Sequence, residues 1–237
     1  MLRMGACATM NVVITGTGRG IGAALAVSGR ASGWNVIECR RDQATPKDTQ
    51  LMSDTALEMD VTQPMSIRNA FNKMAARISC VDVLVNNAGT FPEPTGSPFA
   101  ELEPEWFMQA FQVNCLGTAL VTQACLPLLL KSNHPRIINM SSGAASITRR
   151  SGRRYCYGAS KAALNHLTRG LAHELKNEGV TVVALSPGWV RTDMGGPEAE
   201  LDAVSVAADL TETINGLDME QSGHFLDRFG RIGTYDW

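Results

Sequence analysis

Apolar positions along this chain fall into short β-branched runs that alternate with longer stretches of helical period. Asn11–Thr15 (NVVIT) is a continuous apolar run and predicts a buried strand. Glycines follow at once, and the alanine-rich stretch Ile21–Ser32 predicts a helix. Asn35–Cys39 predicts a second strand, and Ala56–Met59 a third that ends at Asp60. Pro64–Arg77 is amphipathic, with Met65, Ile67, Phe71 and Met74 on its apolar face. Val81–Asn86 (VDVLVN) predicts a strand, and Pro104–Leu130 one long helix that stops before Lys131–Pro135. Beyond it come a strand over Arg136–Met140, a helix over Tyr157–Glu178 and a strand over Thr181–Ser186. A helix over Ser205–Asn215 and an edge strand over His224–Leu226 complete the pattern. Strands alternating with helices predict an α/β, doubly wound fold, its parallel sheet covered on both faces. No repeat, low-complexity tract or linker interrupts the pattern, so residues 1–237 read as a single domain. About the first ten residues form a loose start, with Met10 a second candidate initiator.

Composition narrows the function classes. The chain has 237 residues, 44% hydrophobic and 19% charged, enough for one α/β domain with a well-buried core. A net charge of −2 makes no broad electrostatic case for nucleic acid or a membrane surface. Apolar runs such as Ala124–Leu130 are too short to span a bilayer. Cys7, Cys39, Cys80, Cys115, Cys125 and Cys156 show no CxxC spacing and read as reduced cysteines of a cytoplasmic protein. His134, His166, His173 and His224 lack metal-ligand spacing, so no metal site is expected.

The candidate chemistry begins at Thr15-Gly16-Thr17-Gly18-Arg19-Gly20-Ile21-Gly22, where the first strand turns into the first helix. Glycines there permit a tight turn and close approach of backbone to a pyrophosphate, while the helix N-terminus presents free N–H groups. The spacing is Gly16-x3-Gly20-x-Gly22, because position 21 is isoleucine. The second strand ends Glu38-Cys39-Arg40-Arg41. An acidic residue near this point binds the ribose 2′-hydroxyl of NAD, whereas arginine suits the 2′-phosphate of NADP. Arg40 and Arg41, with Arg19 in the glycine loop, favour NADP(H) over NAD(H). Glu38 is the rival if it reaches the ribose.

Tyr157 and Lys161 are four residues apart on a helical stretch and share a face. An ammonium near a phenol favours the phenolate and makes tyrosine usable in proton transfer near neutral pH. Ser142 follows the strand Arg136–Met140, at the sheet edge where ligands bind in such folds.

These residues make the chain resemble the short-chain dehydrogenase/reductase family over nearly its whole length. The motifs are Thr15-Gly16-x3-Gly20-Ile21-Gly22, Asp60-Val61, Asn86-Asn87-Ala88-Gly89, Asn114, Ser141-Ser142, Tyr157-x3-Lys161 and Pro187-Gly188-x3-Thr192, in the family's order. The resemblance implies a Rossmann-type fold with a seven-stranded, mostly parallel sheet, and a small carbonyl or alcohol substrate. It implies Tyr157 as general acid/base and Lys161 as the residue that binds the nicotinamide ribose and tunes Tyr157. Ser142 would orient the carbonyl, with Ser141 as the fallback, and Asn114 would hold a water of the proton relay. Gly16, Thr17, Gly20 and Ile21 would take the pyrophosphate, and Asp60 and Val61 the adenine. Asn87, Ala88 and Gly89 would line the cofactor site, with Pro187, Gly188, Val190 and Thr192 at the nicotinamide end. A homodimer or homotetramer is the family expectation, through the helices 104–130 and 157–178. The stretches Met140–Ile147, Tyr157–Asn165 and Pro187–Gly196, with the tail Ser222–Trp237, are similar to the C-factor-like carbonyl reductase branch. The chain departs from that branch at Gly158, where arginine is common, and in Arg149-Arg150-Ser151-Gly152-Arg153-Arg154. That arginine segment reads as a solvated loop or as a site for an anionic substrate. Trp106, Phe107 and Phe111 read as core or subunit contacts, and Trp189 as a substrate contact or as packing.

Overall fold

The computed structural model describes residues 9–41, 56–149 and 152–237. The expected loose start up to residue 8, Cys7 and Arg150 lie outside these residues. Along the chain come β1 (Asn11–Thr15), α1 (Gly20–Ala31), β2 (Asn35–Arg40), β3 (Leu57–Glu58) and α2 (Pro64–Ala75). β4 (Val83–Asn86), α3 (Pro104–Phe111), α4 (Thr118–Leu129), β5 (Arg136–Met140) and α5 (Tyr155–Glu174) follow. The last elements are β6 (Thr181–Ser186), β7 (Val190–Arg191), β8 (Leu201–Asp202), α6 (Ala203–Gly216) and β9 (Phe225–Asp227).

Seven strands form one sheet in the order β3-β2-β1-β4-β5-β6-β9. Every pairing is parallel. Strand alternation divides the core between the two faces. Val13, Leu84, Ile137 and Val182 pack on one face with Ile67 and Phe71 of α2 and Val121 and Leu128 of α4. Val12, Ile14, Val85, Ile138 and Leu185 pack on the other with Leu25 of α1 and Leu210 and Ile214 of α6. Because both faces are covered, the strands are continuous apolar runs, which is why β1, β5 and β6 have the bounds their sequence predicts.

A polar seam crosses this core. Asn86 and Asn139 lie opposite each other on β4 and β5. Asn86 Nδ2 donates to Asn139 Oδ1 at 2.9 Å and to Thr122 Oγ1 at 2.9 Å, and Asn139 Nδ2 donates to Thr168 Oγ1 at 2.9 Å.

The structure corrects several expected elements. The helix predicted over Pro104–Leu130 contains a π turn at Gln112–Gly117 that separates α3 from α4. α3 through α4, Pro104–Leu129, is long and apolar enough to cross a membrane by length and composition alone, although no single apolar run is. Its Ala110, Val121, Cys125 and Leu129 are fully buried in the fold. α5 starts at Tyr155, two residues before the expected Tyr157. The third strand shortens to Leu57–Glu58, the fourth starts at Val83 rather than Val81, and the last shifts to Phe225–Asp227. The parallel pair β7–β8 was not expected: two residues per strand carry too little periodicity to be read.

Candidate active site

The strands of the sheet point their C-terminal ends at one edge, and the side chains singled out from sequence gather there. On one side lies the glycine loop after β1. Gly16 has φ +73°, and a Cβ on it would sit 2.8 Å from Ala88 Cα. A Cβ on Gly22 would lie 2.4 Å from the Gly16 carbonyl oxygen, so helix and loop touch backbone to backbone. Thr15 Oγ1 accepts from the amides of Asn87 and Ala88, both at 3.0 Å, and Asn87 Nδ2 donates to the carbonyls of Thr15 and Gly16 at 2.9 and 3.2 Å. The loops after β1 and β4 are thereby held as one piece. Gly18 faces open space instead. α1 starts without a side-chain cap and without an acidic residue in its first turn, so its first amides remain available to an anion.

Arg40 and Glu38 lie on the same face of β2, two residues apart, yet their fates differ. Glu38 is buried and paired with Arg30 of α1 at 2.7 Å. The pairing turns it toward the helix and removes it as a ligand for a ribose. Arg40 closes the strand, is also buried, and its Nε and Nη1 have no hydrogen-bond partner among the described residues. Buried donors are normally satisfied. A nucleotide 2′-phosphate supplies what this guanidinium lacks, and the residues present fit NADP(H). Arg41 is exposed beside it. Arg19 forms an exposed ion pair with Asp193, which links the glycine loop to the loop after β7.

Asp60 Oδ1 accepts from the Thr62 amide at 2.9 Å and the Thr62 hydroxyl at 2.7 Å. The Val61 side chain belongs to the core, so its backbone is what remains for an adenine. At the opposite end of the groove, a Cβ on Gly188 would lie 2.8 Å from Leu201 Cδ1 and one on Gly20 would lie 3.2 Å from Thr192 Cγ2. The segment after β6 thus closes against the glycine loop. Val190 is buried in the core, and Trp189, half exposed, donates from Nε1 to the Gly195 carbonyl at 2.8 Å.

The reactive group sits beyond β5. Ser141 is buried and its hydroxyl donates to Asn165 Oδ1 at 2.6 Å, which directs it into the fold. Ser142 opens the next turn, its hydroxyl accepts from the Ala144 amide at 3.2 Å, and it lies near enough to the Tyr157 phenol to favour its ionised form. Lys161, buried one turn along α5, donates from Nζ to the Met140 carbonyl at 2.7 Å and lies 5.9 Å from the Tyr157 ring centroid. Burial lowers Lys161 from 10.5 to about 8. The phenol of Tyr157 is raised above its usual value by burial, against the lowering effects of the Ser142 hydroxyl and the Arg154 charge. The Lys161 ammonium is directed to the Met140 carbonyl, and burial is the largest influence on the Tyr157 phenol.

Asn114 lies within the π turn, fully buried. Its Oδ1 accepts from the Thr90 amide at 2.8 Å, and its Nδ2 donates to the Thr90 carbonyl and the Ser160 hydroxyl, both at 2.9 Å. All three of its side-chain bonds are internal, so the side chain positions Thr90 and α5, while its backbone carbonyl accepts from the Thr118 hydroxyl at 3.2 Å. Sequence reasoning missed Glu93. It is buried between two prolines, its Oε1 accepts from the Tyr157 amide at 2.9 Å, and its Oε2 has no partner among the described residues. The Pro92-Glu93-Pro94 triplet is the only sequence signal of a fixed carboxylate there. Among the described residues no three His, Cys, Asp or Glu side chains converge as a metal site would require.

Comparison with known proteins places this geometry. The short chain dehydrogenase family profile matches residues 10–202. The chain is 38% identical over 151 residues to the C-signal of Myxococcus xanthus, covering 63% of this chain and 90% of that protein. It is 35% identical over 192 residues to an NADPH-dependent pterin aldehyde reductase of Arabidopsis thaliana, covering 79% and 77% of the two chains. The structure superposes on an NADPH-bound carbonyl reductase from chicken fatty liver with a TM-score of 0.87 and 28% identity, covering 96% of this chain and 99% of that one.

Proposed function

The chain belongs to the short-chain dehydrogenase/reductase family, and from that premise we propose that it is an NADP(H)-dependent oxidoreductase interconverting a carbonyl and an alcohol. The observation that carries the reading is the grouping at the sheet edge of Ser142 after β5 with Tyr157 and, one turn along α5, the buried Lys161, whose Nζ lies 5.9 Å from the Tyr157 ring centroid. Gly16, Thr17, Gly20 and Ile21 hold the pyrophosphate, and Arg40, with Arg41, binds the 2′-phosphate. Asp60 and Val61 hold the adenine, and Asn87, Ala88, Gly89, Pro187, Gly188, Val190 and Thr192 flank the nicotinamide half. When bound, the reduced nicotinamide supplies a hydride to the carbonyl carbon.

Everything else falls to the chain's own side chains. Ser142 hydrogen-bonds the carbonyl oxygen and fixes its distance from the phenol. Tyr157, whose phenol burial keeps protonated at neutral pH, gives its proton to that oxygen as alkoxide character develops. Lys161, with a pKa near 8, exchanges protons readily near neutral pH and re-protonates the phenolate through a water held at Asn114. Glu93 and the Asn114 side chain position the start of α5 and with it Tyr157. The protein works as a cytoplasmic homodimer or homotetramer. Met108, Phe111 and Leu116, exposed on the 104–130 segment, support contacts there, and the five described cysteines are all free.

Likeness to the C-signal favours a second reading, a dinucleotide-binding signalling protein with little turnover. NADPH consumption by purified protein across aldehydes, ketones and quinones separates the two. Turnover that disappears in Tyr157→Phe supports the enzyme. NADPH binding with no turnover on any of them supports the signalling protein.

A further inference from the structure

The reaction makes no use of the strongest concentration of charge near it. A cavity of about 600 Å³ is bounded by Gly96, by Gly143 and Ala144, and by Arg149, Arg153 and Arg154. Its floor is the turn that Ser142 opens: the Ser142 hydroxyl accepts from the Ala144 amide at 3.2 Å. The cavity therefore borders the group that orients the carbonyl. Arg154 lies at the start of α5, and its charge reaches the Tyr157 phenol.

Among the described residues, the ion pairs join Arg19 to Asp193, Arg30 to Glu38, Arg228 to Asp209 and Arg231 to Asp227, and none takes an arginine of this cavity. Arg149 lies over the Tyr235 ring at 5.8 Å, and Arg153 donates one N–H to the Gly96 carbonyl. Arg154 has φ +123°, the one non-glycine residue with positive φ among those described. An arginine in that conformation is strained, and strain of this kind persists where the surroundings over-determine it. Glu93 is the carboxylate that faces Tyr157 from beneath, and one of its oxygens is taken by the Tyr157 amide. Three guanidinium groups gather there in a chain whose net charge is −2, against Glu93 near Tyr157 and Asp236 in the tail whose Tyr235 packs on Gly143, and among the described residues neither carboxylate is ion-paired to them.

We propose that this cavity receives an oxyanion carried by the substrate, so that the carbonyl held by Ser142 and Tyr157 belongs to a molecule with a carboxylate or phosphate group at its far end. The proposal rests on the carbonyl–alcohol reading. Guanidinium pairs such oxyanions with two parallel N–H donors, and the three arginines are solvent-exposed, so the attraction is modest and salt-sensitive.

The test uses full-length protein, NADPH and two aldehydes alike in size, 4-carboxybenzaldehyde and its neutral methyl ester. At low salt, kcat/KM for the acid should exceed that for the ester by about tenfold, and the excess should shrink as salt is added. In Arg149→Gln/Arg153→Gln the acid-to-ester ratio should approach one. Arg154 is left unchanged because its backbone starts α5. 4-Formylphenyl phosphate, run alongside, tells phosphate preference from carboxylate preference. Binding of 4-(hydroxymethyl)benzoate to the NADP⁺-loaded protein, measured by calorimetry, should weaken about tenfold in the same double variant.

Ester reduction with no preference for either acid overturns the pocket and leaves the oxidoreductase reading standing. No reduction of either aldehyde, with anion binding that the double variant loses, overturns that reading and leaves the pocket. Anion binding that is absent, or equal in both proteins, overturns the pocket whatever the turnover.

Discussion

The two halves of the sheet edge are built on different principles. On the glycine-loop half, turns are tied to turns through backbone: Thr15 Oγ1 takes two amides of the 87–88 turn, and Asn87 Nδ2 takes two carbonyls of the 15–16 turn. On the Tyr157 half, position depends on side chains reaching from separate segments. Glu93 holds the Tyr157 amide, Asn114 joins Thr90 to Ser160, and Lys161 reaches back to Met140. The first half is a backbone cradle in which a side chain at Gly16 or Gly22 would clash with neighbouring main chain. The second is a set of adjustable contacts in which single side chains change chemistry without collapsing the frame.

The sharpest way to separate the halves is Tyr157→Phe. The ring and its edge contact with Phe91 stay, and only the proton donor goes. Turnover should fall about 10²–10⁴-fold while NADPH affinity stays within twofold. A variant that retains wild-type kcat removes Tyr157 from the reaction.

Lys161→Met breaks the same half in the opposite thermodynamic direction. Burial lowers Lys161 from 10.5 to about 8, so its ammonium costs the fold roughly 3 kcal/mol. That cost is present in full below pH 8 and fades as pH rises toward 10.5, where the lysine is neutral both folded and unfolded. Methionine should thus abolish turnover, yet improve stability relative to wild type more at about pH 7 than at about pH 9.5, read from urea midpoints. The lost hydrogen bond to Met140 offsets part of the gain at both values. An identical stability difference at the two pH values would show that the buried charge carries no such cost.

Gly22→Ala attacks the cradle. Its Cβ would lie 2.4 Å from the Gly16 oxygen, so backbone must move, at about 1–3 kcal/mol. Denaturation should come earlier and NADPH affinity should drop together, whereas an unchanged melting profile would mean the loop yields freely. Arg40→Ala is the smallest of these effects. Losing one charge-assisted contact should weaken NADPH about tenfold and leave NADH nearly unchanged. A variant that keeps its full preference for NADPH would assign cofactor choice to another residue.

Much of the cradle is legible in sequence because its requirements are local. Gly16, Gly20 and Gly22 stand between a β-branched run and an alanine-rich helix, and that order alone dictates the turn. Tyr157 and Lys161 are equally visible, being four residues apart on one helix. What escaped depends on long-range partners. The contest between Glu38 and Arg40 is decided by Arg30, a partner on α1 that strand periodicity does not reveal. Glu93 reaches Tyr157 across 64 residues of chain, and Arg19 reaches Asp193 across 174. The π turn around Asn114 leaves the hydrophobic pattern of Pro104–Leu130 almost intact, so the pattern reads as one helix. The Lys161 ammonium shows the same distance dependence: helical spacing announces Tyr157 as its neighbour, but the carbonyl that receives its N–H lies 21 residues away at Met140.

The polar seam between β4 and β5 has a consequence for how the chain finds its fold. The two asparagines that meet there are 53 residues apart, so pairing their strands requires a long loop to close. Apolar strands such as these slide past one another with little change in buried area. Slippage by one residue would separate Asn86 from Asn139 and leave amides buried without partners, each at about 1–3 kcal/mol. The pair therefore makes a slipped sheet costlier than valine and isoleucine alone would make it. β5 leads directly to Ser142, so the register that pairs the two asparagines also sets the height of the serine above the sheet.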